Sequence, residues 1–355
     1  MSEAAGERLS VLIIGSGLIG TSIGLALSAR NYVVHLADRH PSHALVAAHL
    51  GAGTVEAPET VDLVIVAVPP LATAEVIVQA LIDHPGACVT DVASVKAPIL
   101  EQVGLAGADL SRYVGSHPMA GSHRVGPLPA RADLFYDRTW VITAHPAADP
   151  ARVEVVRQLA LACGAKVEWM DAAEHDLAVA EVSHVPQILS SLMAANLIDV
   201  CPSHLQLAGQ GVRDVTRIAA SDETLWTQIT LANQAAIDYQ LAKLAAALEE
   251  VRNHLDSPVV LGQFFRRGAE GTRALPGKRG RTPADFRYLV VEIPDSRGAL
   301  ARLFAEIEAA GVNVEDLGIE HDPIREVGYM SIAVEADNAA GLAETIAEGG
   351  WVLRS

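Results

Sequence analysis

The run Gly15-Ser-Gly-Leu-Ile-Gly20 constrains this chain more than any other feature. It follows a short apolar, β-rich run, Val11 to Ile14, and opens an amphipathic stretch, Leu18 to Ala29. A second strand, Val33 to Ala37, then ends on Asp38. Strand, glycine turn, helix, strand and terminal acid together make a dinucleotide-binding fingerprint, where the glycines alone would be only a turn. Gly15 allows the tight turn, Gly17 lets backbone approach a pyrophosphate, and Gly20 permits close helix–strand packing, while the helix N-terminus supplies its dipole. Gly15, Ser16, Gly17, Leu18, Ile19 and Gly20 therefore form the expected cofactor cradle. Asp38 is expected to accept hydrogen bonds from ribose hydroxyls and to repel a 2′-phosphate, which favours NAD. Arg39 beside it is a residue type that holds such a phosphate instead.

Asp62 to Pro69 reads as a third buried strand, with Val68 at the cofactor side of its end, and Ala87 to Asp91 reads as a fourth. Further strands near Tyr113 to Gly115, Trp140 to Thr143 and Ala165 to Trp169 complete a Rossmann-type, doubly wound parallel sheet over residues 1–170. From Ala172 the texture changes: Leu, Ala, Ile and Gln dominate and no alternation appears, so 171–272 is expected to be an all-helical domain, with Pro186 and Pro202 as kinks or boundaries. Leu275-Pro-Gly-Lys-Arg-Gly-Arg-Thr-Pro283 is a linker by composition, placed at 273–285, and its Lys278, Arg279 and Arg281 read as solvated. The tail, 286–355, alternates again in the order βαββαβ, the ferredoxin-like arrangement.

Composition narrows the partners. The formal charge of −17 over 355 residues argues against nucleic acid or an anionic membrane surface. It leaves room for an anionic small substrate held by a few arginines in a cleft. Cys88, Cys163 and Cys201 show no CxxC spacing and are expected to be buried apolar residues of a reducing compartment. The N-terminus lacks a signal-peptide pattern, and no stretch is expected to span a bilayer, so a cytoplasmic protein is anticipated. The 13 histidines include no HExxH or comparable cluster, so no metal is expected.

Ligands of a doubly wound sheet bind beyond the carboxyl ends of its strands. Two segments land there: Asp91-Val-Ala-Ser94-Val-Lys96 and Gly115-Ser-His117-Pro-Met-Ala-Gly121. Removing hydride from a carbon that bears a hydroxyl needs a group to take the hydroxyl proton, and neutral histidine suits that task. His117 is the candidate base, with Ser94 expected to orient it by hydrogen bond. In the helical stretch, Arg213 and Arg217 stand at i,i+4, where like charges repel unless an anion lies between them. Asp214 is one candidate for that anion, and a substrate carboxylate is the other. Trp226 reads by default as an ordinary core aromatic. His175 and His184 lie nine residues apart, half a turn out of phase on a continuous helix. His175 is therefore expected to line the cleft and His184 to pack or hydrogen-bond between helices.

These residues resemble the prephenate dehydrogenase family of tyrosine biosynthesis. GSGLIGTSIGLAL, DVASVK, GSHPMAG, AEHD, EVSHVP and GVRDVTRIAASDETLW occur in that family's order, over essentially the whole chain. The tail, with Ile293-Pro-Asp295-Ser-Arg-Gly298-Ala-Leu300 and Gly311-Val-Asn313-Val, resembles an ACT domain, an amino-acid-sensing module. The resemblance implies oxidation of prephenate with NAD, release of carbon dioxide and formation of 4-hydroxyphenylpyruvate. It implies His117 and Ser94 as the catalytic pair, and Arg217, Arg213, His175 and Trp226 around the substrate. It also implies a homodimer built on the helical domain, and an amino-acid effector near Asp295, Gly298, Leu300 and Asn313. Two positions depart from the family. Gln187 stands where it often has a second histidine, and His123 where it often has glutamate; both positions lie near the cleft entrance in the family. Arogenate, with an amine in place of prephenate's side-chain ketone, is the alternative substrate. A β-hydroxyacid dehydrogenase is disfavoured by the lysine-poor stretch from Ala172 to Ala242, and a non-catalytic NAD-binding sensor by the joint presence of Ser94, His117 and Arg217.

Overall fold

Two four-residue runs, Leu-Val-Ile-Val and Cys-Val-Thr-Asp, are buried at every position and must lie inside a sheet covered on both faces. They are the third and fourth strands of a chain that alternates strand and helix. The order is β1 (Leu9–Ile14), α1 (Leu18–Ser28), β2 (Tyr32–Ala37), α2 (Pro41–His49), β3 (Leu63–Val66), α3 (Pro70–Asp83), β4 (Cys88–Asp91), α4 (Ala97–Leu105) and β5 (Tyr113–Pro118). Then come β6 (Thr139–Thr143), α5 (Pro150–Ala162) and β7 (Lys166–Trp169). The computed structural model describes residues 8–30, 32–121, 124–275, 286–322 and 327–354.

The seven strands lie in the order β2-β1-β3-β4-β5-β6-β7. Strands β1 to β5 are mutually parallel. The sheet is not parallel throughout, as expected from the sequence, because β6 runs antiparallel to β5 and β7 follows β6. Among the described residues, no helix lies between β5 and β6 to carry the chain back across the sheet face. Without that crossover, the chain returns alongside β5 in the opposite direction. Alternate residues of β1 feed two cores: Val11 and Ile13 join Ile23, Leu27 and Trp140 on one face, and Leu12 joins Val64, Ile77 and Tyr113 on the other.

The strand order reverses between β1 and β3, and their carboxyl ends frame the crevice where such sheets take ligands. Sterics at that point explain the glycines. Gly15 has φ +106°, and a Cβ there would sit 2.3 Å from the Ala67 carbonyl oxygen. A Cβ on Gly20 would sit 1.9 Å from the Gly15 carbonyl oxygen. Gly17 is different, because its Cβ direction meets nothing within 4 Å.

The helical part comprises α6 (Ala172–Val179), a π-helical turn (Ala180–His184), α7 (Val185–Asn196), α8 (Pro202–Leu205), α9 (Gln210–Thr216), a 3₁₀ turn (Arg217–Ala219), α10 (Glu223–Ala232) and α11 (Gln234–Asn253). The described residues up to Ala246 pack as one compact unit, and a second unit begins at Ala247. The second unit holds α12 (Pro258–Ala274), β8 (Phe286–Pro294), α13 (Ala299–Ala309), β9 (Asp316–Asp322), β10 (Val327–Glu335), α14 (Ala336–Glu348) and β11 (Val352–Arg354). Its four strands are antiparallel in the order β11-β8-β10-β9, over a core of Val291, Leu303, Ile307, Met330, Leu342 and Ile346. Helix α12 extends into the expected linker as far as Ala274, and Lys278, Arg279 and Arg281 lie outside the described residues.

Two expectations need amendment. Cys88 and Cys163 are buried, but Cys201 is exposed just ahead of α8. The helical run Ala172–Asp199, with mean hydropathy 1.2, is long and apolar enough to cross a membrane by length and composition. Its His175, Asp176, His184 and Gln187 are nevertheless hydrogen-bonded inside the folded unit.

Gly20→Ala is expected to destabilise the protein by about 2 kcal/mol or more, since Gly15's backbone must shift to admit the methyl. Gly86→Ala, whose Cβ meets nothing within 4 Å, should change stability by no more than about 0.5 kcal/mol. Denaturant titration of both variants checks the contrast.

Candidate active site

Burial of charge organises the end of β4. The Asp91 carboxylate closes the strand fully buried and accepts from Tyr113 Oη at 2.8 Å and from the Ala93 amide at 3.0 Å. Lys96 turns back beneath the loop to pair with Asp91, and its Nζ donates to the Ser116 carbonyl at 2.8 Å. Burial pulls the Lys96 ammonium below its ordinary pKa while Asp91 opposes that pull. Burial, then Asp91, pushes the Tyr113 phenol well up. The next residue along β5 is His117, half-buried at the strand's carboxyl end and aligned with Val141 of β6.

The helical side meets this loop through one carboxylate. Asp171 caps α6 by accepting from the Glu174 amide at 2.8 Å, so the helix starts at Ala172 and carries His175 and Asp176 inward. Asp176 accepts from the Lys96 amide at 2.8 Å through Oδ1 and from the Ala97 amide at 2.8 Å through Oδ2. Those amides open α4, where a negative charge also meets the helix dipole. Asp176 Oδ1 lies 2.8 Å from Nδ1 of His175 as well. Nε2 of His175 is in turn 2.9 Å from Nδ1 of His117, with the rings edge-on. Burial, followed by the neighbouring His175, Lys96 and His184, holds His117 well below the usual histidine pKa, so it is neutral at physiological pH.

The π-helical turn resolves the phase problem between the two helical histidines. A π-turn advances fewer degrees per residue than an α-turn, and such turns recur at functional sites. His184 emerges on the inner side, 3.0 Å through Nδ1 from Nδ2 of Asn233, which also donates to the Asp176 carbonyl at 2.8 Å. This is the interhelical bond expected of His184. Burial pulls its pKa down to about 4. The Trp226 ring stands edge-on to it at 6.1 Å and is neither fully buried nor an ordinary core aromatic.

Several expected placements change. His175 is fully buried with both ring nitrogens engaged, so it sits behind His117 and does not line the cleft. Ser94 makes no hydrogen bond to His117 among the described residues; Nδ1 of His117 is already held by His175. Gln187 is buried, donating to the Ile218 carbonyl at 2.9 Å, and this pins the turn that carries Arg217. Asp214 pairs with Gln210 and not with either arginine, and neither Arg213 nor Arg217 has an ion-pair partner among the described residues. Both are exposed cations in an acidic chain. His123 lies outside the described residues. Asp91, Lys96, Asp176 and Asn233 were not anticipated as members of this network. Their signal was present in the DVASVK and AEHD motifs, where a buried loop lysine and an acid beside a histidine both demand partners.

The crevice at the carboxyl ends of β1 and β3 suits a dinucleotide. The Ser16 hydroxyl is buried there without a hydrogen-bond partner among the described residues, and Gly17, the N-cap of α1, offers no side chain to cap it. Asp38 at the end of β2 accepts from the Ser16 amide at 2.7 Å and the His40 amide at 2.8 Å, one to each oxygen. Each oxygen keeps a lone pair for a ribose diol. Arg39 is engaged with His40 through a 3.2 Å bond. Leu18 and Ile19 pack against the sheet core and Val68 follows β3 at the same crevice.

In the second unit, Ile293, Asp295, Gly298, Leu300, Ile319 and Gly328 line a cleft of about 120 Å³. Gly298, at φ +81°, opens α13 beside it. Asn313 does not line this cleft and donates to Glu315 at 2.6 Å.

Known proteins resemble this chain in sequence and in fold. Family models for the nucleotide-binding and the dimerization domains of prephenate dehydrogenase match residues 23–169 and 171–259. The chain is 35% identical to a probable prephenate dehydrogenase, NovF, of Streptomyces niveus, over 98% of this chain and 99% of that one. It is 30% identical to the prephenate dehydrogenase of Lactococcus lactis, over 84% and 86% of the two chains. A crystal structure of prephenate dehydrogenase from A. aeolicus, in complex with hydroxyphenyl propionate and NAD+, superposes with a TM-score of 0.68 at 24% identity, covering 75% of this chain and 98% of that one.

Because folding depresses the pKa of His184, unfolded chains bind its proton more readily. Its contribution to stability is complete above pH 6.5 and is lost as pH falls toward 4, a total of about 3 kcal/mol. Denaturant midpoints measured from pH 7.5 to 4.5 should fall through that window, and His184→Gln should flatten the fall.

Proposed function

The chain belongs to the prephenate dehydrogenase family, and we propose that it converts prephenate to 4-hydroxyphenylpyruvate and carbon dioxide with NAD+ as oxidant. The observation that carries the reading is a histidine held neutral at a strand's carboxyl end, in the same compact unit as a dinucleotide crevice. When bound, NAD+ supplies the hydride acceptor. His117 takes the proton of the ring hydroxyl as the carbinol carbon loses hydride. The resulting ketone is the electron sink for the ring carboxylate, which leaves as carbon dioxide while the ring becomes aromatic. The phenolate oxygen then recovers its proton from the His117 imidazolium, so the base is regenerated within one turnover and no net proton is released. Arg217, with Arg213 one turn earlier, supplies guanidinium charge, without an ion-pair partner among the described residues, for the carboxylates of a dianionic substrate. Ser94, in the loop after β4, is assigned to the cofactor-facing side of His117 and Trp226 to the wall around the substrate, while Gln187 acts from behind by pinning the turn that carries Arg217.

The second unit supports an ACT assignment. Its βαββαβ order and antiparallel β11-β8-β10-β9 sheet fit the ferredoxin-like arrangement. The Asp295–Leu300 turn, with its cleft, is the assigned place for an amino-acid effector. The exposed Val182, Leu189, Leu192 and Met193, inside the match to the dimerization domain, support a homodimer. Three unpaired cysteines suit a cytoplasmic enzyme.

Purified protein should reduce NAD+ with prephenate faster than with arogenate, and faster than it reduces NADP+; no reduction with either substrate overturns the reading. His117→Asn should lower kcat by roughly 10²- to 10⁴-fold with little change in KM, whereas Arg217→Ala should raise KM roughly 10- to 100-fold. Only neutral His117 is active and its pKa is depressed, so kcat/KM should hold as pH falls through 6.5 and decline only below it. For the tail, a chain ending at Leu275 should lose any response of activity to added amino acids that the full chain shows.

A further inference from the structure

The base is useful only if the nitrogen facing the substrate carries a lone pair, and a neutral imidazole can hold its proton on either nitrogen. We propose that Asp176 and His175 are positioning residues that fix the tautomer of His117, keeping the proton on Nδ1 and leaving Nε2 to accept the substrate's hydroxyl proton. The proposal rests on His117 being the base in the reading above.

The assignment follows from one acceptor. Asp176 is tied by two backbone amides at the start of α4, and an ionised carboxylate only accepts. The 2.8 Å contact between its Oδ1 and Nδ1 of His175 therefore requires a proton on that nitrogen. Nε2 of neutral His175 is then an acceptor. Its 2.9 Å contact with Nδ1 of His117 requires His117 to be the donor. The proton of His117 is thereby committed to Nδ1, and Nε2 is left bare. A doubly protonated His175 would reverse the second bond. It would also bury a cation at a fully enclosed position.

The charged and titratable groups around His117 support this polarity. Lys96 is paired to Asp91 beneath it, His184 is bonded to Asn233 on the π-turn, and Asp176 is the nearest carboxylate along the histidine chain. When Nε2 takes the substrate proton, the imidazolium donates through Nδ1 to His175, which Asp176 polarises. The proton stays on Nε2 until the phenolate takes it back, and neither His175 nor Asp176 changes its own protonation. Asp176 is itself immobilised: its carbonyl accepts from Asn233 and the residue is only 5% exposed. This is the arrangement of a part whose position matters.

The test uses the full-length enzyme with prephenate and NAD+, alongside ¹⁵N spectra of histidine-labelled protein, with the His117 signals assigned by their loss in His117→Asn. Wild type should show Nδ1 of His117 protonated and Nε2 unprotonated. Asp176→Asn can donate to His175, which would turn that ring's Nε2 into a donor and move the His117 proton to Nε2. It should lower kcat by roughly 10³-fold or more with KM for prephenate within about threefold. His175→Leu should lose a comparable factor, while His175→Gln, whose side-chain oxygen can still accept from Nδ1, should recover at least about tenfold of that loss. A wild-type spectrum with Nε2 protonated overturns the proposal even where a variant fails to fold. So does a folded His175→Leu enzyme with near-normal kcat, or a His175→Gln enzyme no better than His175→Leu, which would mark a merely structural role. If the wild-type enzyme reduces no cofactor with prephenate or arogenate, the functional reading fails, while the spectrum still decides the tautomer.

Discussion

The Asp176 carboxylate is the interaction on which the rest of the site depends. It collects a ring nitrogen of the adjacent His175 and the first amides of α4, which lie 80 and 79 residues before it in the chain. Hydrogen bonds to a charged group each contribute about 1.5–3 kcal/mol, and a buried carboxylate stripped of them costs more than that to keep ionised. The helical segment therefore cannot slide on the sheet without orphaning a charge. That constraint brings His175 beneath His117, and the π-turn and Asn233 then bring His184 to the same place.

A second buried pair, Lys96 with Asp91, works differently. Removing two charges from water offsets most of what their attraction returns, so the pair adds little net stability. Its contribution is positional. Lys96 Nζ also holds the Ser116 carbonyl, the peptide immediately before His117, while Tyr113 braces the other oxygen of Asp91. β4, its loop and β5 are thus locked together where the base projects, and the same buried surroundings keep that base uncharged.

Much of the first sheet was legible from local pattern. Gly15 and Gly20 are required by contacts within a few residues of the turn or with the adjacent strand, so a motif can encode them. The βαββαβ tail was legible for the same reason: each strand and helix has its own period. The antiparallel β6 was not, because strand direction depends on whether the connection crosses the sheet face. The pairing of His175 with His117 was not legible either. It joins segments 58 residues apart in the chain, and no local pattern carries it; the π-turn at Ala180–His184, with no proline or glycine inside it, likewise concealed that His184 emerges on the same inner side.

The sequence by itself determined the glycine crevice, the acid that ends β2, the presence of His117 at a strand end and the alternation that builds the two sheets. These depend on neighbours close in the chain, or on a periodicity that repeats every two or every 3.6 residues. Tertiary structure decided which groups touch: that His117 is held by His175 and not by Ser94, that Arg213 and Arg217 meet no carboxylate among the described residues, and that Cys201 is exposed. Such pairings arise where distant segments bury polar groups against one another. The requirement that every buried donor and acceptor be matched is a property of the whole fold, with no local signature that spacing alone can carry.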